Sequence, residues 1–105
     1  MSWRIKVNSK ELRRIAYEKD GYKCRYCNWL DLKGWETNAQ DPAHIIPRGH
    51  GGDDIEDNIM ALCRNHHTEW DDYKIKMPWS MFTPEEQAYV MTKKGKWWKK
   101  IDWKL

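Results

Sequence analysis

The sequence predicts an α+β fold, in which two short strands and several helices surround a bound metal ion. Two pairs of candidate metal ligands, Cys24-x2-Cys27 and Cys63-x2-His66, have the spacing that lets one tight turn present two donor atoms. Two short apolar segments lie between turn residues, as is typical of strands. The flanking segments carry the periodicity and the capping residues of helices.

The first half of the chain contains one clear helix and one loop. The helix is predicted over residues 9–19, with Asn8 or Ser9 as its cap. Residues 29–40 follow the first ligand pair, lack periodicity and are predicted to form a surface loop. We expect this loop to bury part of its large apolar side chains, which are Trp29, Leu30, Leu32 and Trp35.

The order strand, loop, strand, helix is predicted next. The strands are expected at 43–46 and 59–62, with a glycine-rich loop between them. A helix is expected from Arg64 to about Tyr73. This order can bring three polar residues of distant sequence position into one cleft: His44, Asn58 and His67.

The last helix is predicted at about 84–93. Thr83-Pro84-Glu85-Glu86 is a capping box with proline at the first helical position. The acidic side chains of the loop between the strands, Asp53, Asp54 and Asp57, are predicted to be solvated or to cap turns.

Length and composition predict one domain over residues 1–105. A chain of 105 residues is long enough for one small domain and has a thin core, so a metal ion is a natural supplement. The N-terminal segment lacks the apolar region of a signal peptide, and no stretch is long and apolar enough to span a bilayer. We therefore expect a soluble, cytoplasmic protein without a membrane partner.

The basic tail at 93–105 has two interpretations. It holds six lysines and one aspartate, interleaved with Trp97, Trp98 and Trp103. Lysine beside tryptophan suits a nucleic-acid backbone, because cations replace counterions while rings cover sugars or bases. Alternatively, the three tryptophans fold back onto the thin core. Composition alone does not separate the two.

Zinc is the metal that the four-ligand pattern favours. Three cysteines cannot all pair, and paired x2 spacings are typical of tetrahedral zinc sites. Cys24, Cys27 and Cys63 supply three ligands. Either His66 or His67 can supply the fourth, since both lie about one turn from Cys63.

Over about residues 22–72, the sequence resembles the HNH endonuclease family. The resemblance rests on His44-Ile-Ile-Pro, a Gly-Gly loop, Asn58, and the run Leu-Cys63-x2-His66-His67. It implies a ββα-metal fold that cleaves phosphodiester bonds in DNA and, in many members, a structural zinc.

The resemblance also implies a role for each residue. His44 would be the general base, Asn58 the central asparagine, and His67 a ligand of the catalytic divalent ion. Cys24, Cys27, Cys63 and His66 would form the structural zinc set, so the resemblance selects His66 as the fourth ligand.

These roles suit the chemistry of DNA hydrolysis. A histidine titrates near neutrality and can activate water, and a divalent ion such as Mg²⁺, Mn²⁺ or Ni²⁺ can stabilise the charge of the transition state. Asn58 can bridge backbone groups of the loop through both ends of its amide. Arg48 can clamp a phosphate oxygen.

Ala43 departs from the family pattern, in which an acidic or histidine ligand often precedes the base. Asp71 lies four residues after His67, so both project from one helical face, and we expect these two to hold the catalytic ion. Asp41 is a second acidic candidate, although three residues along a strand point it away from the face of His44.

We therefore expect a metal-dependent DNA endonuclease of low sequence specificity that nicks DNA as a monomer or weak dimer. The resemblance implies 5′-phosphate and 3′-hydroxyl products. The small single-module format resembles phage-encoded HNH proteins, which implies packaging proteins as partners and the host cytoplasm as the location. The alternative is a zinc-stabilised DNA-binding or assembly module without nuclease activity. Candidate contacts to the DNA backbone are Lys10, Arg13, Arg14, Lys96, Lys99 and Lys100.

Overall fold

The computed structural model describes residues 5–105 and shows an α+β domain, which confirms the predicted fold class. Among these residues, no helix is both long enough and apolar enough to cross a bilayer. The α-helices of the described part are α1 (Ser9–Lys19), α2 (Arg25–Trp29), α3 (Arg64–Asp71) and α4 (Pro84–Val90). The strands are β1 (Asp41–His44), β2 (Ile59–Leu62), β3 (Met77–Pro78) and β4 (Ile101–Asp102).

Strands β1 and β2 form an antiparallel pair in which Asp41 lies opposite Leu62 and His44 opposite Ile59. The first strand was predicted at 43–46, but it begins earlier and ends at His44. It ends there because the side-chain oxygen of Asn58 accepts a hydrogen bond from the amide of Ile46 at 2.7 Å and ends the ladder. His44 is thereby placed at the last position of β1, beside the loop.

The core lies on both faces of β2, whose four residues are all buried. One face packs against α1 through Leu12 and Ala16. The other face belongs to the main core. That core includes Ile45, Ile46, Met60, Leu62, Trp70, Met77, Phe82, Val90, Trp97 and Ile101. Burial on two faces explains why β2 is continuously apolar.

The C-terminal segment folds back onto this core, as one of its two interpretations predicted. β4 pairs in parallel with β3, with Ile101 opposite Met77. Trp97 is fully buried, and the ring of Trp103 lies 4.7 Å from that of Trp98. The preceding helix was predicted at about 84–93 and ends at Val90 instead.

The large apolar side chains that follow the first ligand pair are partly buried, as predicted, with one exception. Trp29, which ends α2, Leu30 and Leu32 keep 44–47% of their surface exposed. Trp35 begins a short 3-10 turn, Trp35–Thr37, and is 81% exposed.

A buried cluster of charges joins three helices. Glu86, in the first turn of α4, has no exposed surface and accepts two hydrogen bonds from the guanidinium of Arg25 in α2. The ammonium of Lys19, the last residue of α1, also lies against Glu86. Burial alone would raise the pKa of Glu86, but Arg25 and Lys19 outweigh it and hold the pKa below its usual value. The carboxylate is therefore charged and fully paired.

Replacing Glu86 with alanine should destabilise the fold strongly. Removing Glu86 takes away the only carboxylate paired with Lys19 among the described residues and leaves Arg25 with Asp20 alone, so positive charge stays buried without its full set of partners, at a cost of about 3 kcal/mol. Urea unfolding of the metal-loaded protein measures the change. Glu85 is the matched control, since it is the exposed neighbour in the same turn, and Glu85→Ala should change the free energy of unfolding by less than about 0.5 kcal/mol. Equal stability of the two variants would contradict the assigned role.

Candidate active site and metal centre

Four side-chain donors converge where α2 and α3 begin. Cys24 precedes the first residue of α2 and Cys27 lies in its first turn, while Cys63 precedes α3 and His66 lies in its first turn. At both helix starts the thiol sulfur of the capping cysteine accepts a hydrogen bond from the backbone three residues on. The same local geometry is thus used twice, as the repeated x2 spacing predicts.

The distances among these donors are those of a tetrahedral metal site. Nδ1 of His66 lies 3.6 Å from the sulfur of Cys24, 3.3 Å from that of Cys27 and 3.4 Å from that of Cys63. The sulfurs of Cys27 and Cys63 are 3.9 Å apart. Zinc bonds of about 2.3 Å to sulfur and about 2.0 Å to nitrogen give tetrahedral edges of about 3.6–3.8 Å. The cluster is therefore compatible with a structural zinc.

The electrostatics of the cluster favour a cation at its centre. Burial raises the pKa of the Cys27 thiol, and the neighbouring sulfurs of Cys24 and Cys63 raise it further. Burial likewise raises the pKa of Cys63 and lowers that of His66. A bound divalent ion lowers the pKa values of both thiols again, because it binds cysteine in the thiolate form.

A second, open site lies beside this cluster. It is a cavity of about 380 Å³ in which β1, the following loop, α3 and the C-terminal segment meet. Its lining residues are His44, Pro47, Arg48, His50, His67, Asp71, Tyr73 and Lys100. The structure thus brings the two predicted catalytic histidines to one cavity.

Asn58 holds the loop that carries the cavity wall. Its amide oxygen accepts from the backbone of Ile46, and its amide nitrogen donates to the carbonyls of Ile46 at 3.0 Å and Asp53 at 2.9 Å. These contacts use both ends of the amide, as expected from its chemistry. Gly52 closes the loop, because a Cβ there would lie 1.8 Å from the carbonyl oxygen of Ile46. Asn58 itself is fully buried, so it acts on the loop and not directly in the cavity.

Asp54 is a functional candidate that the sequence analysis missed. It was predicted to be solvated or to cap a turn, but its carboxylate lies 2.8 Å from Nε2 of His44. The same carboxylate accepts two hydrogen bonds from Arg48, at 2.9 and 3.1 Å. The bonds from Arg48 and His44 lower the pKa of Asp54. The signal in the sequence was the Gly-Gly turn, which returns the chain toward the base.

Arg48, a predicted phosphate contact, already has a partner for its guanidinium. Its side chain is 59% exposed and lies at the rim of the cavity, but its guanidinium is already engaged with Asp54. One charged group therefore bridges the arginine and the imidazole of His44, and the orientations of both depend on it.

His67 contacts a different carboxylate through each ring nitrogen. Nδ1 lies 3.1 Å from Asp41, and Nε2 lies 3.3 Å from Asp71. Burial would raise the pKa of Asp41, but hydrogen bonds from His67 and Arg64 outweigh it and lower the pKa. Asp71 lines the cavity and Asp41 does not, so the two acidic candidates lie on opposite edges of one imidazole. Ala43, between Asp41 and His44, is fully buried in the core and contributes no donor.

Trp70 is the second residue that the sequence analysis missed. Its ring is fully buried in α3, and its indole nitrogen donates to the backbone carbonyl of His44 at 3.0 Å. It had no signal in the sequence beyond being a large apolar residue one turn after His66. It fixes the end of β1 against α3.

The candidate DNA contacts fall into two groups. Lys10, Arg13, Lys96 and Lys99 are exposed. Arg14 is exposed too, but it is paired with Glu11 and Glu18 on its own helix, which leaves less of its charge for a phosphate. Lys100 is the exception, since it is buried to 2% exposure and lies beside the cavity rather than on an outer surface.

The comparisons with known proteins agree with this geometry. Residues 24–70 match the family model described as HNH endonuclease. Neither curated proteins nor solved structures give a match to the chain. The matched range begins at the first cysteine of the cluster, ends at Trp70, and contains His44, Asn58 and His67. Residues 24–70, just under half of the chain, are therefore similar to an HNH endonuclease domain.

Proposed function

We propose that the protein is a metal-dependent endonuclease that hydrolyses phosphodiester bonds in DNA. One observation carries the proposal: His44 from β1 and the pair His67 and Asp71 from α3 face one open cavity, apart from the Cys/His cluster. A base that can activate water and a pair that can bind an ion, both lining one open cavity, are what hydrolysis of a phosphodiester requires.

His44 is the proposed general base, and Asp54 selects its tautomer. Asp54 is ionised at neutral pH, so Nε2 of His44 carries the proton that bridges them. Nδ1 then holds the free lone pair, and no described residue hydrogen-bonds to it. This nitrogen takes a proton from water as the water oxygen bonds to phosphorus. The bond from phosphorus to the 3′ oxygen breaks, and that oxygen gains a proton from solvent, which gives 5′-phosphate and 3′-hydroxyl ends.

His67 and Asp71 are the proposed holders of the catalytic divalent ion. The carboxylate of Asp41 accepts a hydrogen bond from Nδ1–H of His67, which leaves the lone pair of Nε2 directed toward Asp71 at 3.3 Å. A lone pair and a carboxylate at that distance repel each other unless a cation lies between them. A bound Mg²⁺, Mn²⁺ or Ni²⁺ would supply charge stabilisation for the phosphate and the leaving oxygen. Asp41 fits the role of a hydrogen-bonding partner that orients a metal-binding histidine, so we do not assign it as a ligand.

A structural zinc on Cys24, Cys27, Cys63 and His66 completes the proposal. The donor distances support it. A domain this small also needs stabilisation beyond what its apolar core supplies, and a bound metal provides it. This ion would have no open coordination position and would take no part in hydrolysis.

DNA is the proposed substrate, bound mainly through its phosphates. The exposed candidates Lys10, Arg13, Lys96 and Lys99 suit sequence-independent contacts, so we propose low sequence specificity. The described residues contain one such group of His44, His67 and Asp71, which supports nicking by a monomer rather than paired cuts. Packaging proteins of a phage as partners stay a prediction from size alone.

Supercoiled plasmid is the direct test of activity. With Mg²⁺, Mn²⁺ or Ni²⁺ the wild type should produce nicked circles, and His44→Ala should lower the rate about 10²–10⁴-fold because the base is gone. Gel electrophoresis of a time course measures both. Chelation by EDTA should stop the reaction.

Two controls make this test specific. Zinc content is measured after chelation, so that loss of the structural ion is not mistaken for loss of the catalytic one. Thermal unfolding shows whether His44→Ala is still folded. Tight DNA binding without cleavage under every ion would support the zinc-stabilised binding module and overturn the nuclease.

Asp41→Asn tests the orienting role at His67. Asparagine keeps the shape but weakens the hydrogen bond that fixes the imidazole, so affinity for Mn²⁺ should fall about 10–100-fold. Calorimetry measures the affinity, and the Mn²⁺ dependence of nicking should shift in parallel. The control is Asp72→Asn, an exposed carboxylate at the end of α3, which should leave both unchanged. Unaltered Mn²⁺ affinity in Asp41→Asn would remove Asp41 from the site.

Elemental analysis tests the structural ion. The purified protein should hold one tightly bound zinc per chain, and Cys63→Ser should lower both zinc content and thermal stability, since one of four ligands weakens. Asn65→Ser, at an exposed position in the same turn, is the control and should retain the zinc. A wild-type protein that folds cooperatively with no zinc would refute the assignment.

A further inference from the structure

Lys100 occupies an unusual position for a lysine in a basic tail. It is the last residue of a 3-10 turn, Lys96–Lys100, and directly precedes β4. Its backbone is fixed by two buried side chains, Trp97 before it and Ile101 after it, and by the pairing of β4 with β3. Its place beside the cavity is thus set by the fold.

No anionic group of residues 5–105 contacts the ammonium of Lys100 directly. Burial lowers the pKa of Lys100, and the charge of Asp71, which lines the same cavity, partly offsets that effect. Nζ lies 4.8 Å from the ring centre of Trp70 and 4.9 Å from that of Tyr73. Within the described residues, it makes no hydrogen bond and has no carboxylate oxygen within 4.0 Å. A buried ammonium is ordinarily paired with an anion, because ring faces replace only part of its lost hydration.

The cavity supplies the direction in which the missing anion would lie. Lys100 lines the same cavity as His44, His67 and Asp71. Trp70 connects Lys100 to His44: its ring face contacts the ammonium, and its indole nitrogen donates a hydrogen bond to the carbonyl of His44. The two aromatic faces restrict the lysine rotamers, so little entropy is lost when an anion binds.

We infer that Lys100 binds a non-bridging oxygen of the scissile phosphate, as a further active-site residue contributed by the C-terminal segment. The inference rests on the proposed function and extends it, because residue 100 lies outside the matched range 24–70. The phosphodiester gains negative charge as water attacks, and a fixed ammonium stabilises that charge without reorganisation.

The test uses a small phosphodiester, bis(p-nitrophenyl) phosphate, which is too short to reach the outer lysines. Lys100→Met keeps the length and the packing against both rings but removes the charge. Its kcat on this substrate should fall at least about tenfold, while Lys100→Arg should retain part of the activity. The matched control is Lys76→Met: Lys76 is exposed and precedes β3 as Lys100 precedes β4. Its kcat should stay within about twofold of the wild type.

Different outcomes separate this inference from the proposed function. Wild-type kcat in a folded, zinc-containing Lys100→Met would overturn the role of Lys100 and leave the nuclease intact. An inactive wild type would overturn the nuclease. In that case binding of dithymidine monophosphate, followed by the NMR shift of the Trp70 indole proton in both proteins, still decides: equal affinity in wild type and Lys100→Met overturns the inference, and about tenfold weaker binding in the variant supports it.

Discussion

The convergence of four donor atoms on one point is the constraint on which the rest of the structure depends. Cys27 and Cys63 are 36 residues apart in sequence and 3.9 Å apart at their sulfurs. The helix that contains Cys27 has five residues and the helix that follows Cys63 has eight, too few to persist alone in water. Because adjacent positions of a helix point about 100° apart, anchoring His66 in the cluster directs His67 into the cavity. The cluster therefore sets the direction of a side chain that lines the neighbouring cavity.

The imidazoles of His44 and His67 are each oriented by a hydrogen bond to an aspartate, but their second ring nitrogens have different surroundings. Each has one nitrogen bound to a carboxylate, Asp54 for His44 and Asp41 for His67. The other nitrogen of His67 faces the carboxylate of Asp71, whereas that of His44 faces none within the described residues. This difference alone suits one ring to an ion and the other to a proton. The two roles that we propose for these histidines thus agree with the charges around each ring.

Much of the fold could be predicted from the sequence, because its signals are local. The capping box at Thr83, the x2 spacings and the apolar run of β2 each act within a few residues and lie close to their predicted places. The end of β1 was wrong by two residues, since it depends on Asn58, a residue on the other side of the loop.

The site was less predictable than the fold, because the contacts that build it join distant segments of the chain. Asp54 looked like one of several solvated acidic residues, and only the closing of the loop at Gly52 carries it back to His44. Lys100 looked like one of six tail lysines, and only the pairing of β3 with β4 places it beside the cavity. Trp70 had no polar signal at all. Contacts between distant segments decide such roles, and no pattern along the chain contains them.

Trp70 has a consequence for how the sequence can diverge. Its indole nitrogen bonds to the carbonyl of His44, and its face contacts the ammonium of Lys100. Phenylalanine would keep the face and lose the donor, and tyrosine would place a hydroxyl where the indole nitrogen lay. A substitution at position 70 therefore disturbs both the end of β1 and the C-terminal segment. Among homologues that retain a lysine at 100, we expect tryptophan at 70 to be retained with it.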